Sequence, residues 1–438
     1  MPASPADSAL YRGLFSDDET AALFTDSAEI RAMLLVEGTL ARVQGHLGLI
    51  PETAAAFIDR SAREVQIDPA AMAAETAVNG VPVPALVAAF RKAMEAPDHA
   101  RYLHWGATSQ DIMETGQALR LRRVMALWDA RLEALSRALG RLAAAHADLP
   151  MAARTYGQVA TPTSFGAVVA SWGHPILRHR ARLVAVRDDL AAVSLSGAAG
   201  TLSAMGAEGP AVRAALAMAL GLSDPGHSWH AERDRIGAFS AWMAGLTASL
   251  GKMGEDLILF TQSGMGEVAI SGAGSSSTMP QKQNPVGPSV LVAVARQVIA
   301  LDGVIQNAGL HRQQRDGAAW FAEWLTLPQI CILTGRALAL ALDLAQRIQP
   351  DPQAMARQLD DGSGLIRAEE MTFALSRHIP RPEAQAKVKE LCKQAKPGGP
   401  SLVALVAEEF PAAVLPASPN LGTAPDEARA FAASVGVV

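Results

Sequence analysis

From Ile236 onward, the apolar residues Phe239, Met243, Leu246, Leu250, Met253, Leu257 and Phe260 follow at alternating steps of three and four, with no proline between them. That spacing puts all of them on one stripe of a helix, which at ~1.5 Å per residue is about 36 Å long or more. A stripe of that length needs equally long neighbours to cover it. Leu119, Val124, Leu127, Leu132, Leu135, Leu139 and Leu142 supply a second, less regular stripe. A third helix is predicted from Pro285 through Val290, Val294, Val298 and Leu301, with Asn284 as N-cap and the proline in the first turn. The pattern predicts an all-α chain built round a central bundle of long helices.

The pattern also sets boundaries. Up to about residue 110 the helices are shorter and interrupted by Pro51, Pro69, Pro82, Pro84 and Pro97, which predicts an N-terminal helical domain over 1–110. The bundle is assigned to 111–360. Periodicity lapses across "QPDPQ" and "DDGSGL", and 361–438, with "KPGGPS" and "LPASPNLGTAPD", reads as a small C-terminal helical domain.

Composition narrows the possibilities. Half of the 438 residues are hydrophobic but only 5% are aromatic, so the core is built from aliphatic side chains. Thirty-eight basic residues face forty-three acidic ones with no basic block, which argues against a nucleic-acid partner. Cys331 and Cys392 stand far apart and outside any zinc-ligand spacing, which argues for a reducing compartment. The N-terminus lacks the apolar segment of a signal peptide, so a cytoplasmic protein is expected. The longest uncharged stretch, Thr155 to Leu177, contains Pro162, Gly166, Gly173, Pro175 and several hydroxyls. It is predicted to be protein interior rather than a membrane span.

Against this background "SGAGSSSTMPQKQNP", Ser271 to Pro285, is out of place. Glycine and serine give the backbone freedom, as a mobile lid requires. Lys282 and Asn284, just before a predicted helix N-terminus, offer a charge, an amide donor and free N–H groups to an anion. A carboxylate is the natural guest.

The stretch resembles the signature loop of the fumarase/aspartase superfamily, whose pattern is Ser-Ser, any, Met-Pro, any, Lys, any, Asn-Pro. All the specified residues are present: Ser276, Ser277, Met279, Pro280, Lys282, Asn284 and Pro285. "HWGATSQDIMET" from His104 and "TYGQVATPTSFG" from Thr155 resemble the other two superfamily blocks. The resemblance implies a fumarase/aspartase-like fold and a homotetramer in which blocks from different subunits meet, placed on different helices of the bundle. It implies chemistry through an aci-carboxylate carbanion without a metal or organic cofactor. It casts Ser276 as the proton-transfer residue and Lys282 with Asn284 as the holders of the charge-absorbing carboxylate. His104, Thr108, Ser109, Thr155, Gln158, Ser277 and Met279 become substrate-site positions, His104 with a catalytic role. As an alternative for Thr108, its spacing to Asp111 also makes a capping box.

One departure is informative. Superfamily lyases that expel an amine or hydroxide carry histidine after the threonine of the second block, and here that position is Tyr156. A carboxylate, with an ordinary pKa of about 4, leaves or adds without a proton donor. The bacterial 3-carboxy-cis,cis-muconate cycloisomerase branch works on such a group. "GLFSDDETAALFTDSAEIRAMLLVEGTLARV", "WHAERDRIGAF", "SLGKMGEDLILF" and "RDGAAWFAEW" resemble that branch, to about residue 395. The implied substrate is a tricarboxylate, which calls for local positive charge from Lys282 and from Arg233, Arg235, Arg312 or Arg315. His230 is a further substrate-site candidate on the same resemblance, with a buried structural histidine as the other reading. The alternative activity is a lyase of the adenylosuccinate or argininosuccinate type.

Overall fold

The structure is a computed structural model that describes residues 4–437 apart from 273, 276–278, 280, 281 and 414–417, and only the backbone at Ser275. The regular structure of the described residues is mostly helical. Its long helices are Asp26–His46, Ser109–Ala145, Phe165–Leu190, Asp234–Phe260, Val286–Ala308 and Gly317–Arg347. The heptad residues from Ile236 to Phe260 are buried along the whole of their helix, none more than 9% exposed. Along Ser109–Ala145 the stripe is buried at Leu119, Val124, Leu132, Leu135 and Leu139, while Leu127 and Leu142 are half-buried. The Val286–Ala308 and Gly317–Arg347 helices are long and apolar enough to cross a membrane by length and composition. About half of the apolar 18-residue stretch in each is buried in the protein, 44% and 56%.

The chain forms two compact units, and the division falls inside each of the five longest helices. One comprises Met1–Arg131, His179–Ala248 and Val294–Ala339; the other comprises Leu132–Arg178, Ser249–Ala293 and Leu340–Val438. Neither unit is one continuous stretch of the chain. In the first unit Trp128, Phe239 and Trp242 form a stacked set with centroids 6.0 to 6.3 Å apart. The N-terminal prolines sit where the rigid ring is tolerated. Pro51 is at a helix N-cap, Pro82 precedes Val83–Met94, and Pro97 opens a single turn. In the second unit a separate small core of Met371, Leu375, Ala384, Val388, Leu391, Leu402 and Val406 holds C-terminal helices together.

Two local expectations are corrected. The block from Thr155 is not helical at its start: Pro150–Thr155 and Gln158–Ser164 form an antiparallel hairpin, and the helix begins at Phe165. The turn residues Tyr156 and Gly157 have φ of 53° and 74°, as a two-residue hairpin of matching twist demands. The tip is solvent-exposed, so the expected interior begins only at Ser164. Asn284 is likewise not a helix cap. It pairs with Gly274 in a short ladder, while the first helical bond runs from Ser289 N–H to the Pro285 carbonyl, which gives Pro285 the cap position.

Glycine matters most where two helices touch. A Cβ at Gly173 would lie 1.9 Å from the ring of Phe431, itself fully buried. Alanine ordinarily favours a helix over glycine by about 1 kcal/mol, but here the clash dominates. Gly173→Ala is expected to lower stability by about 1–3 kcal/mol, the usual cost of overpacking. Urea denaturation checks this, and adding Phe431→Leu is expected to return part of the loss.

Candidate active site

The first block is a strained turn above a buried polar network, all of it within the first unit. The turn needs positive φ at His104 (63°) and at Gly106 (74°). A histidine in that region stores strain unless its surroundings hold it there. Arg91 donates to the carbonyls of Ala100 and Leu103, and Gln44 donates to the carbonyl of Trp105 at 2.7 Å. The histidine ring is held by Glu37, whose Oε1 lies 2.6 Å from Nδ1.

Glu37 is 1% exposed and its other oxygen, Oε2, has no hydrogen-bond partner among the described residues. Burial of the His104 ring pushes its pKa down, but the Glu37 charge and hydrogen bond, helped by the charge of Asp111, outweigh burial and Arg91, and the net shift is upward. The imidazolium form is favoured. With Nδ1–H given to Glu37, Nε2–H is left to donate to an anion.

Below the turn the Ser109–Ala145 helix starts with two buried carboxylates on successive turns. Asp111 accepts from the backbone N–H groups of Thr108, Ser196 and Gly197 and from Nε2 of His230, all at 2.8 to 2.9 Å. The Thr108 contact is one half of the expected capping box. Glu114 accepts from Gln110, Ser194 and Arg233. Arg233 in turn forks onto both oxygens of Glu323, at 2.8 and 2.6 Å. Burial works against this guanidinium, but Glu114 and Glu323 hold its pKa above the ordinary value. Arg315 Nε donates to Gln110 Oε1 at 2.6 Å, which ties the segment before the Gly317 helix to the same network.

This placement sorts the candidates. His104, Thr108, Ser109 and Arg315 gather round the start of one helix, and all are at least partly accessible. His230 is 3% exposed, with Nε2 committed to Asp111. Arg235 is half-buried over Trp229 and reaches the Asp189 carbonyl. Arg233 is consumed by two carboxylates, and Arg312 pairs with Asp316. Arg233 is thus tied up inside the fold, while Arg312 shares its charge with Asp316 on an exposed side chain.

The other two blocks lie in the second unit. Thr155, Tyr156 and Gln158 are exposed at the hairpin tip, whose first strand is clamped by a bidentate ion pair from Arg154 to the fully buried Glu267. In the signature loop, Lys282 is exposed, Met279 is 42% exposed and Asn284 is half-buried. The loop base is closed by the Gly274–Asn284 and Ser275–Gln283 pairs, and by Arg347 Nε donating to the Ser271 carbonyl at 2.6 Å. Ser276 and Ser277 lie outside the described residues.

Glu37, Arg91, Glu267 and Arg347 escaped the sequence reading. Glu37 alone had a visible signal: it falls on the buried stripe between Met33, Leu34, Leu40 and Ala41, where a lone carboxylate asks for a partner. Glu37→Gln is expected to lower the His104 pKa below its value in the unmodified chain, read by NMR titration of the ring. A raised histidine pKa stabilises the fold fully below about pH 6.5, and that contribution fades as pH rises through the folded value. The stability gap between the two proteins is therefore expected to shrink from pH 6 to pH 8.

With this geometry in place, comparison with known proteins is direct. Residues 11–300 match the family described as Lyase. The chain is 39% identical to the 3-carboxy-cis,cis-muconate cycloisomerase of Pseudomonas aeruginosa, over 91% of this chain and 88% of that enzyme. It is 37% identical to the enzyme of the same name from Pseudomonas putida, over 88% and 93%. The crystal structure of the 3-carboxy-cis,cis-muconate lactonizing enzyme from Pseudomonas putida matches with a TM-score of 0.91 at 34% identity, covering 98% of this chain and 99% of that one. The all-α, fumarase/aspartase-like fold expected from the signature loop is the fold observed. The chain belongs to the lyase family.

Proposed function

We propose that this chain is a 3-carboxy-cis,cis-muconate cycloisomerase, closing that tricarboxylate to 4-carboxymuconolactone as a cytoplasmic homotetramer. The observation that carries the reading is similarity to enzymes of that name over about nine-tenths of the chain. Tyr156 at the hairpin tip, where amine- and hydroxide-expelling relatives carry histidine, agrees with it.

In this reaction one substrate carboxylate oxygen attacks an alkene carbon conjugated to another carboxylate. One C–O bond forms, and the π electrons move into the conjugated carboxylate as an aci-carboxylate. A proton then adds to the carbon alpha to it, with Ser276 as the proposed donor, and solvent restores the proton. Lys282 and Asn284 hold the carboxylate that takes up the charge, an interaction stronger in the transition state than in the bound substrate. His104, whose protonated form Glu37 favours, takes another carboxylate, with Thr108, Ser109 and Arg315 beside it. Thr155, Gln158, Ser277 and Met279 complete the proposed site. His230 and Arg235 serve it indirectly, through Asp111 and the Asp189 carbonyl. Ring closure is intramolecular, so fixing the carboxylates in a reactive pose supplies much of the rate.

The proposed tetramer brings together blocks from different subunits. Apolar side chains left exposed on the long helices, Leu259 (50%), Ile299 (49%), Val304 (41%) and Leu325 (71%), support such an assembly. The three-part division at residues 110 and 360 belongs to the same proposal.

Purified protein without added metal is expected to bleach the diene absorbance of 3-carboxy-cis,cis-muconate and to leave adenylosuccinate and argininosuccinate unchanged. Lys282→Ala is expected to lower kcat by about 10²–10³, the range for losing one charge-stabilising donor, with Ser276→Ala also strongly impaired. A folded protein that leaves the diene intact refutes the assignment. Equal activity in Lys282→Ala refutes the role of the loop.

A further inference from the structure

The first unit contains a cavity of about 530 Å³ that none of this chemistry uses. Its volume lies in the range of small-molecule sites. The walls come from the Asp26–His46 helix, the Ala73–Asn79 helix with the turn before it, the Ser109–Ala145 helix and the Gly317–Arg347 helix. Trp320 and Trp324 lie in one wall as an edge-to-face pair with centroids 4.6 Å apart, and Met33, Met72, Met113 and Ile30 add flexible apolar surface.

The polar side is unusual. Arg120 is the one cation among the described lining residues; its side chain is 9% exposed, and Nε is buried with no hydrogen-bond partner among the described residues. Its polar contacts with described residues are long, 3.3 Å to the Leu23 carbonyl and 3.6 Å to Glu29, a side chain itself 33% exposed, and its guanidinium lies over the Phe24 ring at 5.8 Å. Burial lowers the Arg120 pKa by more than Glu29 restores it, the mark of a guanidinium short of anion. One turn away on the same helix, the amide of Gln117 lines the cavity and makes no hydrogen bond to any described residue. Glu114 also touches the cavity, but both of its oxygens are committed to Gln110, Ser194 and Arg233. Arg233 shows what a buried guanidinium in this unit settles on: two carboxylates at hydrogen-bond distance.

We propose that this cavity is a binding site for a flat, apolar monocarboxylate, with Arg120 and Gln117 receiving the carboxylate and Trp320 and Trp324 the ring system. Glu29 competes for the same guanidinium, so the site is weaker than an unopposed arginine would make it. The proposal concerns a second site and does not depend on which reaction the signature loop performs.

The probe is 2-naphthoate, titrated by calorimetry into the full-length protein alongside its neutral analogue 2-naphthalenemethanol. Saturable binding of 2-naphthoate is expected, with the analogue at least tenfold weaker. Arg120→Met is expected to weaken it tenfold or more, with folding checked by circular dichroism. Ala77→Trp fills the cavity from its exposed rim, without disturbing the buried core, and is expected to abolish binding. Glu29→Gln is expected to tighten it, a sign that a purely structural role for Glu29 does not predict. Lys282→Ala is expected to leave it unchanged, which separates this cavity from the loop. No binding up to about 10 mM, far weaker than a built site gives, overturns the proposal. So does equal affinity for the neutral analogue, or insensitivity to both Arg120→Met and Ala77→Trp.

Discussion

The first unit depends on satisfying two carboxylates at the start of the Ser109–Ala145 helix. Asp111 and Glu114 are each 2% exposed or less, and an ionised carboxylate at that depth is tolerable only with several donors. Asp111 takes two of its donors from the Ser196–Gly197 backbone and a third from His230; Glu114 takes Ser194 and Arg233. Segments distant in sequence are thereby fixed to one helix turn. Breaking such a buried ion pair on one side typically costs about 3–5 kcal/mol, so the register of these segments has little room to vary. The strained turn carrying His104 rests on this fixed base.

Two positions in the superfamily-like blocks lie where local conformational rules are broken. His104 and Tyr156 both occupy positive φ without being glycine. Each is held by contacts made elsewhere: the first by Glu37 and its neighbours, the second by the hairpin that Arg154 and Glu267 clamp. Such positions are poor choices for stability alone, and they aim side chains where regular helix cannot. Buried acids act as positioning groups in both units. A fold with few aromatic residues and a large aliphatic core has few other ways to orient a polar side chain.

The positive charge of the chain shows how a count of residues differs from a site. Arg233, Arg235, Arg312 and Arg315 lie within a short stretch of sequence or on facing segments, yet they have four different fates. One is consumed by two buried acids, one reaches a backbone carbonyl, one pairs with its own i+4 neighbour, and one orients Gln110. Charge available to a ligand is what remains after internal pairing.

The sequence by itself determined the long helices, because an apolar period of three and four over many turns leaves one way to bury the stripe. It also carried the signature loop, because Lys282, Asn284 and their neighbours are adjacent in the chain and need no folding to be recognised. The hairpin before Phe165 was not legible, since "TYGQVATPTSFG" has no clean alternation and stands among helix-forming residues. Glu37 was legible as an anomaly on an apolar stripe, but not as the partner of a histidine 67 positions away. Only tertiary structure decides such pairings: hydrogen bonds act over about 3 Å, and which groups approach that closely is set by packing between helices rather than by the pattern along any one of them.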